Sequence, residues 1–324
     1  RLEQKDCITA SPVLAAIQTN IPQSVKDSLD PETDAKIFQQ MLDTSRKASK
    51  AGAELVIWPE TMVQAVLDDR LMKLVNSKHV HKMYDTILAE HAQDLAYILV
   101  GATGGNPVIR EDSSLYLAQR YNSAFLYTPE GGKFAKQYDK IHLVPFGEVI
   151  PFKKSIPWLH NLLIKFSPYD FDYTLDYGQN YTIFPITVQQ KDYNFGVMIC
   201  YEDAMPYIAR NFALNSDKNK QIDWLVNISN DGWFVKFQND QITASTELTQ
   251  HLAVSVFRAV ENRLSLIRSV NTGISCIIDS CGRVKNSYIA GNLPVKALDR
   301  QGIAGWVADN MPIDKRVTLF SKYG

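Results

Sequence analysis

Phe195-Gly-Val-Met-Ile-Cys200-Tyr-Glu-Asp203 is an apolar run that stops at a thiol and turns at once into a polar stretch. A short run of this kind, bounded by polar residues, reads as a strand buried on both faces. The plain reading of Cys200 is a core cysteine, since cysteine is among the most buried residue types. Its place at a strand exit beside a carboxylate favours a second reading, a nucleophile. That role needs a base or a cation nearby, because a free thiol titrates near 8.5.

Working outward, two other apolar segments end in chemistry. Leu55-Val-Ile-Trp-Pro-Glu60 is a short strand closed by a carboxylate. Glu60 is either the first residue of a helix starting at Thr61 and Met62, or a general base whose pKa rises with desolvation. Tyr138-Asp-Lys140-Ile-His-Leu-Val-Pro-Phe-Gly-Glu148 carries an amine into an inward-heading segment. An ammonium beside a thiolate lowers the thiol pKa and stabilises an oxyanion. His142 in the same stretch is a rival base, since a Cys/His pair is the commoner thiol arrangement. Glu148 and Glu202 stand beside these motifs as candidates for holding Lys140. Asn227, Ser229, Asn230 and Asp231 close the next strand, Trp224–Ser229, at the same rim. Arg258, Glu261, Asn262 and Arg263 read as a structural charge network.

The rest of the chain supplies the frame. Val13–Gln18, Tyr97–Gly101 and Tyr121–Tyr127 read as further strands, the last running into a turn at Pro129-Glu-Gly-Gly132. Residues 34–51 place Ile37, Met41 and Leu42 at helical spacing, with Gly52 as the stop; residues 80–94 and 241–263 are also helical. Leu264–Val270, Ile274–Asp279 and Val284–Tyr288 form a meander. Helices alternating with apolar strands, joined by antiparallel pairs, predict an α/β fold with two mixed sheets face to face and helices outside. There is no internal repeat and no linker, so residues 1–324 read as a single domain. Residues 149–180 are the exception, rich in proline and apolar side chains, and read as a lid-like insertion.

Composition sets limits. Of 324 residues, 45% are hydrophobic and 21% charged, with 34 basic against 35 acidic side chains; there is no basic excess of the sort that binds nucleic acid. No run reaches the roughly 18 apolar residues needed to cross a bilayer. The start at Arg1 suggests a piece of a longer chain. Cys7, Cys200, Cys276 and Cys281 contain no Cys-x-x-Cys pair, so zinc-ribbon and thioredoxin readings fall away. Cys276 and Cys281 flank a turn where a bridge is feasible, though free thiols are expected.

Together these motifs resemble the nitrilase (carbon–nitrogen hydrolase) superfamily, whose Glu, Lys and Cys occur in the chain order of Glu60, Lys140 and Cys200, here 80 and 60 residues apart. The fuller likeness is to its apolipoprotein N-acyltransferase branch. It rests on Gln18-Thr-Asn-Ile-Pro-Gln23, Lys140-Ile-His-Leu-Val-Pro-Phe-Gly-Glu148, Ile199-Cys-Tyr-Glu202, Ile228-Ser-Asn-Asp-Gly-Trp-Phe234, and the run from Arg258 through Glu261, Arg263 and Arg268 to Asn271-Thr-Gly273. The resemblance implies a nitrilase-like α-β-β-α sandwich and acyl transfer through a Cys200 thioester. The donor would be a phospholipid and the acceptor the N-terminal amine of a diacylglyceryl-cysteine lipoprotein. Glu148, Tyr201 and Glu202 would support the triad. Phe152, Trp158, Leu162 and Phe166 of the lid would meet lipid. No cofactor or metal is implied. The setting would be the periplasmic face of the bacterial inner membrane, with anchoring helices outside this chain. A soluble amidase on the same triad is the alternative enzyme, and a binding or scaffold module the non-enzymatic one.

Overall fold

The computed structural model describes residues 7–26, 30–112, 114–152, 155–164, 173–238 and 241–324. In chain order the elements that position the site begin with β1 (Leu14–Gln18), α1 (Pro31–Lys50), β2 (Leu55–Ile57), β3 (Val63–Val66), α2 (Val80–Gln93), β4 (Tyr97–Ile109), β5 (Leu115–Thr128) and β6 (Tyr138–Asp139). They continue with α3 (Pro157–Ile164), β7 (Ile183–Val188), β8 (Lys191–Ile199), α4 (Pro206–Ala213), β9 (Trp224–Ser229), β10 (Val235–Gln238) and β11 (Gln241–Ala244). The last are α5 (Glu247–Asn262), β12 (Ser265–Val270), β13 (Cys276–Ile278), β14 (Ala290–Gly291) and β15 (Gly305–Asp309).

Two sheets carry the fold. The larger runs β14-β15-β1-β2-β4-β5 and ends on the short strand Gly132–Lys133, with β3 beside β4 and β6 beside β5; the smaller runs β13-β12-β9-β8-β7. Three parallel strands form the middle of each: β1, β2 and β4 in the first, β8, β9 and β12 in the second. Antiparallel strands flank them. The strand period of two decides which side chains meet. Leu14, Ala16, Leu55, Ile57 and Leu99 join Val197, Ile199, Val226 and Ile228 between the sheets. Ala15, Ile17, Val56, Ile98 and Val100 point the other way, against Phe38, Met41 and Leu42 of α1 and Leu88 of α2. Ser269 fastens the sheets together, donating to the Ile17 and Ile57 carbonyls at 2.8 Å each.

Because the central strands of each sheet are parallel, their carboxyl ends share one rim, the edge where α/β sheets form binding crevices. Glu60 follows β2, Cys200 follows β8, Asn230 follows β9 and Asn271 follows β12.

Several expectations change in detail. The helix expected over 241–263 starts only at Glu247, because Gln241–Ala244 pairs with Val235–Gln238 as a hairpin. Val284–Tyr288 is not a strand: one bridge joins Val284 to Ile278. Beyond it the Lys285 N–H still reaches Ile277 O at 2.9 Å, and its ammonium reaches Asp309 and the Asn310 carbonyl. The strand expected from Ile274 begins at Cys276, since the Ser275 hydroxyl accepts the Val270 N–H that a ladder residue would have taken. The edge strand β7 escaped the pattern because it contains Pro185, which an edge position tolerates. Cys7, Cys200, Cys276 and Cys281 are free thiols.

Of the 149–180 segment, Val149, Ile150 and His160 are buried, while Phe152, Trp158 and Leu162 are exposed, Trp158 to 70%. Phe166 lies outside the described residues. The return stretch 173–180 lies along the site loops: Leu175 N–H donates to Glu148 O and Gly178 N–H to Lys140 O, at 2.9 and 2.8 Å.

Candidate active site

Glu60 is placed by a turn that a helix would not allow. Trp58 is buried, continues the ladder by donating its N–H to Leu99 O, and donates its indole N–H to Ser45 on α1 at 2.8 Å. Thr61 then takes a positive φ of 49°, so no helix begins there. The turn crosses directly over Gly101 of β4, where a Cβ would sit 2.7 Å from Thr61 N and 2.8 Å from Glu60 Cα.

Lys140 enters from β6, its N–H bonded to Asn122 O at 2.8 Å. Its side chain is buried, and Nζ contacts Glu148 Oε1 at 2.7 Å and Glu60 Oε1 at 3.5 Å. The Val144–Glu148 loop closes on itself, with Val144 N–H donating to Glu148 Oε2 at 2.8 Å. Asn122 completes the cluster by donating to Glu60 Oε1 at 2.7 Å and Glu148 Oε1 at 3.2 Å. The remaining Glu60 oxygen accepts the Asn230 N–H at 2.8 Å. Asn230 is itself held by Asn271, whose amide also clasps Thr19 and Ile21. That clasp is where the Gln18–Gln23 and Asn271–Gly273 motifs meet.

Cys200 sits at an elbow. Its φ of 53° turns the chain from β8 into a 3-10 turn, Cys200–Ala204. Asn227 donates to its carbonyl at 3.2 Å. Glu202, fully buried, ties this elbow to the lysine loop. One oxygen accepts from Ile141 and His142 N–H at 2.6 and 3.0 Å, the other from Ile199 N–H at 2.8 Å, and the Tyr138 hydroxyl reaches both. Burial pushes its pKa up to about 7 against these donors.

Electrostatics join the three side chains. Burial raises the Cys200 thiol pKa, the Glu60 charge adds to it, and Lys140 only partly offsets them. The sequence expectation that an ammonium beside the thiol lowers its pKa holds for the Lys140 contribution, which burial and the Glu60 charge outweigh. Burial alone would lower the Lys140 pKa, but the charges of Glu60, Cys200 and Glu148 outweigh it and the shift is upward. These directions favour the neutral thiol and the ammonium, an arrangement suited to base-assisted nucleophilic attack rather than to a standing thiolate. His142, the rival base, has its Nδ1 hydrogen-bonded to the Tyr207 hydroxyl at 2.8 Å.

Of the expected supports, Glu148 and Glu202 lie within the cluster, whereas Tyr201 is exposed beside the His142 ring. Arg258 and Glu261 pair as a charge network should, at 2.7 Å. Asn122 was missed; the one signal is a polar residue opening the buried half of β5. Among the described residues no group of three or more His, Cys, Asp or Glu side chains is placed to hold a metal.

The carbon-nitrogen hydrolase family model matches residues 13–306. The chain belongs to that family. Similar curated proteins include the apolipoprotein N-acyltransferase of Geobacter metallireducens, 32% identical over 84% of this chain and 44% of the relative. That of Sinorhizobium medicae is 28% identical over 100% of this chain and 57% of the relative. The chain spans about half the length of the curated relatives it matches. Among solved structures, an amidase of the nitrilase superfamily from Nesterenkonia AN1 superposes with a TM-score of 0.58 at 15% identity, covering 94% of this chain and 91% of that one. A CN-hydrolase superfamily protein from Xanthomonas campestris gives 0.52 at 14% identity. Both likenesses confirm the α/β nitrilase fold.

Proposed function

We propose that this carbon-nitrogen hydrolase chain is the catalytic unit of an apolipoprotein N-acyltransferase. In this reading it moves a fatty acyl group from a phospholipid to the N-terminal amine of a diacylglyceryl-cysteine lipoprotein. One observation carries the choice of substrate: the loops that hold the site also carry exposed apolar side chains. Phe146 lies between Lys140 and Glu148, Tyr201 follows Cys200, and Trp233 follows Asn230; Phe146 and Trp233 are 60% and 58% exposed. Phe152, Trp158 and Leu162 follow Glu148. Exposed apolar surface gathered at a site marks a lipid or protein contact, and a small polar amide has no use for it. The names of the sequence relatives support the same choice.

In the proposed reaction Glu60 takes the thiol proton as Cys200 Sγ attacks the ester carbonyl of the phospholipid. Lys140 balances the charge that develops on the carbonyl oxygen. The ester C–O bond breaks, the proton returns from Glu60 to the departing lysophospholipid oxygen, and a thioester remains on Cys200. The acceptor amine then attacks the thioester and gives its proton to Glu60; the C–S bond breaks as the amide forms, and Glu60 passes that proton to the departing Cys200 sulfur, restoring the thiol. Residues 149–180 serve as the lid over the acyl chain, and the whole of residues 1–324 works as one domain. The setting is the periplasmic face of the bacterial inner membrane. No helix among the described residues is long and apolar enough to cross a membrane.

Incubation with phospholipid vesicles followed by mass measurement of the Cys200 peptide tests this. The expected result is an added fatty acyl mass that Cys200→Ala removes. Absence of a lipid adduct, with rapid turnover of a small amide, would show instead an amidase using the same side chains.

A further inference from the structure

Helix α5 turns a polar stripe, not an apolar one, toward the cysteine elbow. His251, Ser255 and Arg258 are buried at one-turn spacing, and all three reach Asp203. His251 Nε2 meets Asp203 Oδ1 at 2.9 Å, Ser255 donates to Oδ2 at 2.5 Å, and Arg258 donates to the Asp203 carbonyl at 3.0 Å. The other ring nitrogen, His251 Nδ1, meets Asp231 Oδ1 at 3.0 Å. An ionised carboxylate only accepts hydrogen bonds, so a ring lodged between two of them carries a proton on each nitrogen. Asp203 closes the elbow that begins at Cys200. Asp231 follows Asn230, whose N–H holds Glu60.

We propose that His251 is a positioning residue, a buried imidazolium that locks the Cys200 elbow to the turn that holds Glu60 and neutralises Asp203 and Asp231, the two aspartates that flank its ring. The proposal rests on Cys200 being the nucleophile, and it assigns His251 no contact with substrate. The charge count favours it. The charge of Asp231 raises the thiol pKa, the smallest of the contributions after burial, Glu60 and Glu148 and against Lys140. The other cation near Asp231 is Arg268 on β12, whose Nη2 stands 3.5 Å away, while its Nε and Nη1 have no partner among the described residues. Arg258 is committed to Glu261 and to the Asp203 carbonyl. His251 is thus the close counter-charge for both aspartates. The ring's pKa agrees: burial works against protonation, but Asp203 and Asp231 carry it up to about 10.

The test is His251→Gln, which keeps a polar side chain but removes the charge. The pH dependence of Cys200 alkylation by iodoacetamide is followed on the Cys200 peptide, so the other cysteines do not interfere. The expected result is a profile displaced to higher pH, with alkylation at pH 8 slower by about tenfold, the effect of one pKa unit on the thiolate fraction. An unchanged profile in a variant that unfolds at the wild-type urea concentration would overturn the proposal. Nitrogen NMR of His251 in the wild-type protein at pH 8 decides the matter even where the variant fails to fold: both nitrogens protonated supports the imidazolium, and a neutral ring refutes it. Iodoacetamide needs no lipid. Loss of acyl transfer activity alone therefore leaves this proposal testable, and a normal thioester with an unmoved profile sinks this proposal alone.

Discussion

Replacing Glu148 with glutamine should push two properties of Cys200 in opposite directions. Glu148 stands 2.7 Å from the Lys140 ammonium, and Glu60 stands 3.5 Å away. At an effective dielectric of about 20 those separations correspond to gross attractions of about 6 and 5 kcal/mol. Removing one partner of a buried pair costs up to about 5 kcal/mol, but Lys140 keeps Glu60, so the loss should fall nearer 2–3 kcal/mol. If Lys140 balances the oxyanion, that loss appears in the barrier and slows thioester formation by roughly 30- to 160-fold. Glu148 also raises the thiol pKa through its charge. Its removal should therefore speed alkylation of Cys200 by iodoacetamide at neutral pH several-fold. The assay is a paired one, with thioester formation from phospholipid vesicles and alkylation of the same peptide measured on one preparation. Rates that fall in parallel would refute the reasoning, because they would mean that Glu148 shapes the whole site and does not act through its charge.

Two further outcomes follow from the same geometry. Gly101→Ala drives a Cβ to within 2.9 Å of three backbone atoms of Pro59–Thr61. Urea unfolding should show a loss of about 1–3 kcal/mol, and thioester formation should fall by more than tenfold because Glu60 is displaced; full activity would mean that Glu60 is not the base. The His251 pKa, up to about 10 from 6.5, also fixes a pH dependence. A folded-state pKa above the unfolded value gives stability that is complete below about pH 6.5 and disappears as pH rises through about 10. The urea midpoint should decline across that window, and a midpoint that rises instead would contradict the buried imidazolium.

The strand exits were the legible part of the site. Trp58-Pro-Glu60 and Ile199-Cys200 each announce a buried strand and its end, and the parallel order of the central strands does the rest. The contacts that hold the site were not legible, since they join distant residues: Asn122 lies 62 residues from Glu60, and Asn230 lies 170 away. Asn230 acts there through its backbone, which leaves no mark on residue type. His251 was hidden for another reason. A histidine on an amphipathic helix looks like any half-buried polar residue until its two carboxylate partners are placed. The motif shows the lysine that lowers the Cys200 pKa but not the burial or the carboxylates that outweigh it.

The left-handed backbone at Cys200 has a consequence for how such a protein can change. A side chain with a Cβ pays a steric penalty in that conformation, which glycine avoids and asparagine tolerates. The thiol is thus held where the fold alone would prefer another residue. Random drift screened only for thermal endurance discards a cysteine from such a position, and a sibling without the thiol is the sturdier of the two.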